Sequence, residues 1–147
     1  MDSSLINEIL GPLPDLSIQG SGRFLAALHQ LTLEGVPARV IGKLERLLML
    51  SPPQSARLLA VSETSRKRLK KTPTKHLDEA ASDRVIRIVS AVAEAAEILG
   101  DNEKAVSWFK APSLTLRGQV PLDLMISDSG AQIVRDELNR IRYGHWA

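Results

Sequence analysis

The chain contains no cysteine, so neither a disulfide framework nor a thiolate-bound zinc site is open to it, and nothing argues for an oxidising compartment. Aromatic residues are scarce as well, at 3% of 147 residues. A core must therefore be built from Leu, Ile, Val and Ala. Strand signals, in the form of alternating runs rich in β-branched and aromatic residues, are nearly absent. No apolar run reaches the ~20 residues that a membrane span needs, and Met1-Asp2-Ser3-Ser4-Leu5 lacks the basic flank and apolar stretch of a signal peptide. We expect a cytoplasmic protein. Its three histidines, His29, His76 and His145, are scattered, with no nucleophile, paired carboxylates or glycine-rich phosphate loop nearby. No enzyme, metal site or cofactor is expected.

What remains is 44% hydrophobic residues in a helical pattern, which points to an all-α protein of one compact or two small domains. The net charge is only +2, but its distribution is uneven. Arg66, Lys67, Arg68, Lys70, Lys71 and Lys75 stand against Glu63 alone between Ser62 and Lys75, whereas acids slightly outnumber bases from Glu94 onward. A basic middle and an acidic end suit two partners of different character, one of them a polyanion.

Prolines and glycines over residues 11–22 mark a linker behind a short apolar turn or helix, Leu5 to Leu10. Phe24, Leu25, Leu28 and Leu31 recur at helical spacing up to Gly35, and Pro37 opens a second helix carrying Val40, Ile41, Leu44, Leu47 and Leu48. Ser51 caps a third, with proline in its first turn. Ala56-x-x-Leu59-Ala60-Val61-Ser62-x-x-Ser65 then reads as a short helix, a tight break and a second short helix reaching about Lys71. That is the helix-turn-helix pattern, whose second helix enters the DNA major groove. Thr64, Ser65, Arg66, Lys67, Arg68, Lys70 and Lys71 are the candidate DNA contacts, since Arg and Lys suit phosphates and guanine edges. A helix-turn-helix more often has glycine at the place of Ala60 and an aliphatic at that of Arg66. The competing explanation of the basic run is a solvated face on an ordinary bundle helix.

A long helix is expected after Thr72-Pro73-Thr74, with Leu77, Ala81, Val85, Ile88, Val92, Ala95 and Leu99 on one stripe and Ile86, Val89, Ala93 and Ala96 on another. It is too apolar for a surface and serves either as the core helix of a monomer or as a strut with a dimer interface. Gly100 stops it, Asp101 caps a helix bearing Val106, Trp108 and Phe109, and Ala111-Pro112 breaks that in turn. Pro121 begins a short helical turn, Ser127 or Asp128 caps a last helix through Ala131, Val134, Leu138 and Ile141, and Gly144 ends it. Tyr143-Gly144-His145-Trp146-Ala147 closes the sequence with aromatic side chains.

Leu99-Gly100-Asp101, Ala105-x-x-Trp108-Phe109, Ala111-Pro112-Ser113-x-x-Leu116, Gly118-x-x-Pro121-Leu122-Asp123-Leu124 and Ile141-x-Tyr143-Gly144-x-x-Ala147 are specific in combination. From about Phe24 to Ala147 the chain resembles the Xre-type antitoxins of bacterial RES/Xre toxin-antitoxin pairs, the Xre/MbcA/ParS group. Residues 1–22 fall outside the resemblance and are expected to be a flexible N-terminal segment; the resemblance implies a helix-turn-helix domain over 23–74 and a connecting helix with a C-terminal toxin-binding domain over 75–147. It implies two partners, an NAD-depleting toxin of the RES fold and operator DNA through which the protein represses its own operon. The departures at Ala60 and Arg66 bear on DNA binding and leave toxin binding untouched. A homodimer fits a helix-turn-helix that reads two half-sites.

Arg140, Arg142, Tyr143, His145, Trp146 and Ala147 with its carboxylate are the candidate toxin contacts, placed to occlude the NAD pocket. The competing role for Trp146 is to cover its own domain's core. A stand-alone transcriptional regulator is the other class of function open to such a chain; it explains the basic helix but gives the motifs from Gly118 onward no purpose.

Overall fold

The computed structural model describes residues 4–13 and 22–144. Within them the chain is all-helical, in the order α1 (Ser4–Leu10), α2 (Gly22–Glu34), α3 (Arg39–Leu48), α4 (Pro52–Leu59), α5 (Glu63–Lys70), α6 (Glu79–Leu99), α7 (Asn102–Lys110), a 3-10 turn (Leu114–Leu116), α8 (Pro121–Leu124) and α9 (Asp128–Tyr143). Its boundaries fall where local chemistry sets them. Ser51 forms a capping box with Gln54, and Ser62, Asp101 and Ser127 each accept from a backbone N–H of the first turn that follows. Gly144 ends α9 in the left-handed region, φ 62°.

The two apolar stripes of α6 explain its place at the centre. Val85, Ile88, Val89, Val92 and Ala95 are fully enclosed, and the helix packs against α1, α2, α3 and α4 as well as α7 and α9. The helix begins at Glu79, later than the run from Leu77 suggested. Asp78 is the reason: its carboxylate caps Ala81 N at 2.8 Å, leaving outside the helix a turn closed by Lys75 N on Thr72 O (3.0 Å) and the short stretch after it. That segment lies along residues 35–39, with Ala38 N on Lys75 O (2.7 Å), Arg39 N on Pro73 O (3.0 Å) and Leu77 N on Val36 O (2.8 Å). The approach requires Gly35. Its φ is +86°, and a Cβ there would stand 2.4 Å from Leu77 O.

At the start of the lead expected over 1–22, the short apolar turn or helix read at Leu5 to Leu10 is α1. Leu5, Ile6, Ile9 and Leu10 are all buried, and α1 packs on α3 and α6. The periodicity of Leu5 to Leu10 is a core-facing stripe on a seven-residue helix. Residues 14–21 lie outside the described part.

In the C-terminal half, Phe109 is wholly buried, with its ring edge-on to Trp108 at 5.1 Å. Arg84 of α6 donates to Ile126 O (2.8 Å), fixing the corner between α8 and α9. At the end of α7, Lys110 Nζ donates to Leu48 O (2.6 Å) and Met49 O (2.9 Å), the carbonyls left open where α3 stops. This ammonium sits at the negative end of the α3 dipole and ties the two halves together. Lys110→Met keeps the stem and removes the donor. It is expected to cost about 1–2 kcal/mol in thermal or urea denaturation.

Candidate functional site

Two short helices of eight residues each build the first site. Helix α4 ends at Ala60, φ 54°, with Ala60 N–H on Ala56 O and Arg57 O and Val61 N on Ala56 O at 3.0 Å. The chain thus turns in the left-handed region that glycine ordinarily supplies, at a cost to alanine of about 1 kcal/mol. Ser62 Oγ then accepts from Ser65 N (3.0 Å) and starts α5.

The basic residues of α5 divide into two sets. Thr64, Lys67, Arg68 and Lys71 are exposed and recur at helical spacing, so they share one outward face. Ser65 is half-buried at the cap. Arg66 points the other way: it is buried, and its Nε donates to Glu45 Oε2 at 2.6 Å. The expectation that Arg66 contacts DNA is corrected by this geometry, because its guanidinium is occupied inside the domain. Lys70 stands between the sets, with Nζ on Glu45 Oε1 at 2.6 Å and its side chain 39% exposed. Arg66 therefore fills the place of the usual aliphatic by bringing in an ion pair.

Glu45 is the residue that sequence reasoning missed. It lies on α3 among Ile41, Leu44 and Leu48, all buried, and that position among apolar neighbours was the available signal. Burial pushes its carboxyl pKa upward. Hydrogen bonds from Arg66 and Lys70 outweigh that effect and bring it from 4.5 down to about 2. The anion thus holds α5 against α3 at two points, one turn apart.

The second site is the surface of the C-terminal half. Ser113 N bonds Gln119 O (3.0 Å) and Gly118 N bonds Ser113 O (2.7 Å), closing a small loop around the 3-10 turn. Leu114 on that turn is 96% exposed. Thr115 Oγ1 donates to Glu137 Oε1 (2.5 Å) and Arg140 donates to both oxygens of the same carboxylate (2.6 and 2.9 Å). These bonds, Arg140 first, hold the Glu137 carboxyl below the usual range against the opposing effect of burial. Glu137 therefore pins the loop beside Arg140, one turn before the exposed Tyr143. Arg142 extends toward Glu97 of α6 at 3.9 Å, its side chain about one third exposed. Of the expected toxin contacts, Arg140, Arg142 and Tyr143 are thus gathered on the last turns of α9. His145, Trp146 and Ala147 lie outside the described residues.

Residues 27–90 match the Xre-like antitoxin helix-turn-helix domain, and residues 94–144 match the antitoxin Xre/MbcA/ParS C-terminal toxin-binding domain. The chain belongs to the Xre-type antitoxins. The two matches meet within α6, so the central helix of the antitoxin is shared between the families' domains. No curated protein matches the antitoxin in sequence. Among its described residues no group of His, Asp and Glu could hold a metal ion, and no helix is long and apolar enough to cross a membrane.

Proposed function

We propose that this antitoxin neutralises a RES-fold toxin that depletes NAD, by laying the end of α9 and the chain's last residues over the toxin's active site, and that as a homodimer it represses its own operon. The toxin-binding match over residues 94–144 carries the first part. It is supported by the exposed Leu114 and Tyr143, with the partly exposed Arg142 and the Glu137-paired Arg140 on the same last turns of α9 as Tyr143. Aromatic and arginine side chains of this kind anchor interfaces. Gly144 ends α9 in the left-handed region just before these last residues. An antitoxin truncated after Gly144 is expected to lose at least about 100-fold in toxin affinity, a few kcal/mol by the hot-spot scale. The readout is toxin titration with NAD consumption; full neutralisation by the truncated chain would remove the occlusion mechanism.

The DNA half rests on the outward face of α5. In this proposal Thr64 near its N-terminus reads base edges and Lys67, Arg68 and Lys71 contact phosphates or guanines, all four being exposed. If the three cations each neutralise one phosphate, replacing them all by alanine lowers the log-log salt slope of operator binding by about 2.7, at about 0.9 per contact. Arg66→Leu is expected to leave that slope unchanged, because Arg66 faces Glu45. A drop in slope on Arg66→Leu comparable to that of one surface lysine would overturn this division of the helix.

A further inference from the structure

Helix α3 carries a row of cations that the outward face of α5 does not include. Arg39, Lys43 and Arg46 stand at i, i+4 and i+7, so they share one side of the helix over ~10 Å, at 1.5 Å per residue. That side lies opposite the buried Val40, Ile41, Leu44 and Leu48. The one acid of α3, Glu45, is buried and shared between Arg66 and Lys70, so the exposed charge of this helix is wholly positive. Lys43 is tied to α1, its Nζ donating to Glu8 O at 3.1 Å. Arg39 and Arg46 are exposed, and among the described residues neither guanidinium holds a hydrogen bond or an ion pair. Glu8 lines a shallow groove with Arg46 without pairing to it. Between the two arginines is Gly42, where a Cβ would stand 3.4 Å from Arg46 Nη1. The Arg46 side chain thus leans back along the helix over a turn that has no side chain of its own.

Helix α3 runs antiparallel to α5. Arg39 N bonds Pro73 O just past the end of α5, and further along α3 Glu45 meets Arg66 and Lys70. Both helices turn apolar side chains into the same core, Leu44 and Leu48 from α3 and Leu69 from α5. Their outer sides therefore form one surface, with Arg39 and Arg46 beside Lys67 and Lys71. The exposed Lys75, whose carbonyl accepts from Ala38 N at 2.7 Å, continues the row from Lys71 to Arg39. Glu63, in the first turn of α5, is the acid at the border of this surface on that helix.

We infer that the DNA contact of the antitoxin extends from α5 onto α3, with Arg39 and Arg46 each neutralising a backbone phosphate beside the groove that α5 enters. The inference rests on the DNA-binding reading given above and assigns further residues to it. Charge and position select duplex DNA as the occupant. A guanidinium presents parallel N–H donors that match phosphate oxygens, and both of these are free to do so. A helix centred in a major groove ~12 Å wide has a sugar-phosphate wall ~6 Å to either side. A neighbouring helix packed 8–10 Å away therefore meets a strand and not base edges. The missing side chain at Gly42 lets that strand come close to the α3 backbone.

Fluorescence anisotropy over a salt series tests this on the full chain, with an operator duplex and a random-sequence duplex of equal length. Arg39→Ala/Arg46→Ala should lower the log-log slope by about 1.8, at about 0.9 per phosphate. The reduction should be the same on both duplexes, because phosphate contacts carry no sequence information. Arg39→Lys/Arg46→Lys keeps both charges and should keep the slope. Gly42→Glu sets an acid between the two arginines and should weaken binding to both duplexes with an unchanged helical circular dichroism, glutamate being the better helix former. Because the chain has no cysteine of its own, Gly42→Cys carrying a photoactivated azide should cross-link to bound DNA, and Ser129→Cys should not. A slope unchanged in Arg39→Ala/Arg46→Ala, while Lys67→Ala/Arg68→Ala/Lys71→Ala lowers it, would overturn the α3 contact and leave DNA binding on α5 alone. Loss of toxin affinity in that same α3 variant, with its slope unchanged, would overturn it in favour of the toxin as the partner of these arginines. A wild type that binds neither duplex would overturn the DNA reading together with this extension of it.

Discussion

Glu45→Ala is expected to destabilise the antitoxin by about 3 kcal/mol, because it leaves the buried Arg66 without the carboxylate it is bonded to and takes the same carboxylate from Lys70. Against a total stability on the order of 5–15 kcal/mol, that is a large fraction. The midpoint of thermal unfolding should fall by roughly 10 °C for a chain of this size. The loss belongs to the uncompensated cation. Joint replacement by apolar side chains, Glu45→Leu with Arg66→Leu, removes both charges and should recover most of it or exceed wild type. If Glu45→Ala changed the midpoint by less than about 2 °C, roughly half a kcal/mol by the same scaling, the Glu45 contact would not be holding α5 in solution.

The same pair gives a pH dependence with a definite sign. The Glu45 carboxyl titrates near 4.5 when unfolded and is held at about 2 when folded. A depressed carboxyl pKa means that the unfolded chain binds the proton first. The stabilisation is therefore complete above about pH 5 and is lost as pH falls from there toward 2. Urea midpoints measured across that window should decline more steeply for wild type than for Glu45→Leu/Arg66→Leu, in which the ionisable group is gone. Operator binding should follow stability here, since α5 is positioned by this carboxylate.

The features legible in the sequence are those set by a few neighbouring residues. Ser51 and Asp101 cap the helices they were expected to cap, Ser127 is the one of the two candidates, Ser127 and Asp128, that caps the last, and Gly100 and Gly144 end theirs, because a cap or a stop is decided within one turn of chain. Ala60 and Arg66 were visible as departures from a pattern. What Arg66 does instead was hidden, because Glu45 lies 21 residues away and is brought to it only when α3 packs against α5. The contact of Lys110 with the end of α3 spans 62 residues and is hidden for the same reason. The start of α6 was misplaced because Leu77 is buried by the extended pairing with Val36, and burial at helical spacing looks the same from sequence whichever backbone supplies it. For the aromatic tail, sequence remains the basis of the proposal, with α9 placing Arg140 and Tyr143 beside its departure point.

Gly130→Ala should disable the toxin-binding half while sparing the recognition helix. Gly130 sits in the first turn of α9, its N–H on Ser127 Oγ at 2.9 Å. A Cβ there would lie 1.9 Å from Leu124 O and 2.8 Å from Leu124 C. These are backbone atoms at the end of α8, and no rotamer change relieves the overlap. Helix α9 must therefore move away from α8, pulling Ala131, Val134 and Leu138 out of a packed core. We expect a loss of about 3 kcal/mol in stability, although alanine is intrinsically the better helix former. The displacement would carry Glu137, and with it the loop bearing Leu114, away from its place. Toxin affinity should drop by at least about 100-fold. Operator affinity should change far less, by under about threefold, because α4 meets this corner only across a pocket, where Gln54, Arg57 and Leu58 face Leu122, Asp123 and Ile126, and no residue of α5 lines it. Ser129→Ala, one residue earlier on an exposed position, is the control expected to leave both activities intact. Equal losses in toxin and operator binding would instead mean that the strain passes through α6, and that the two halves fold as one cooperative unit.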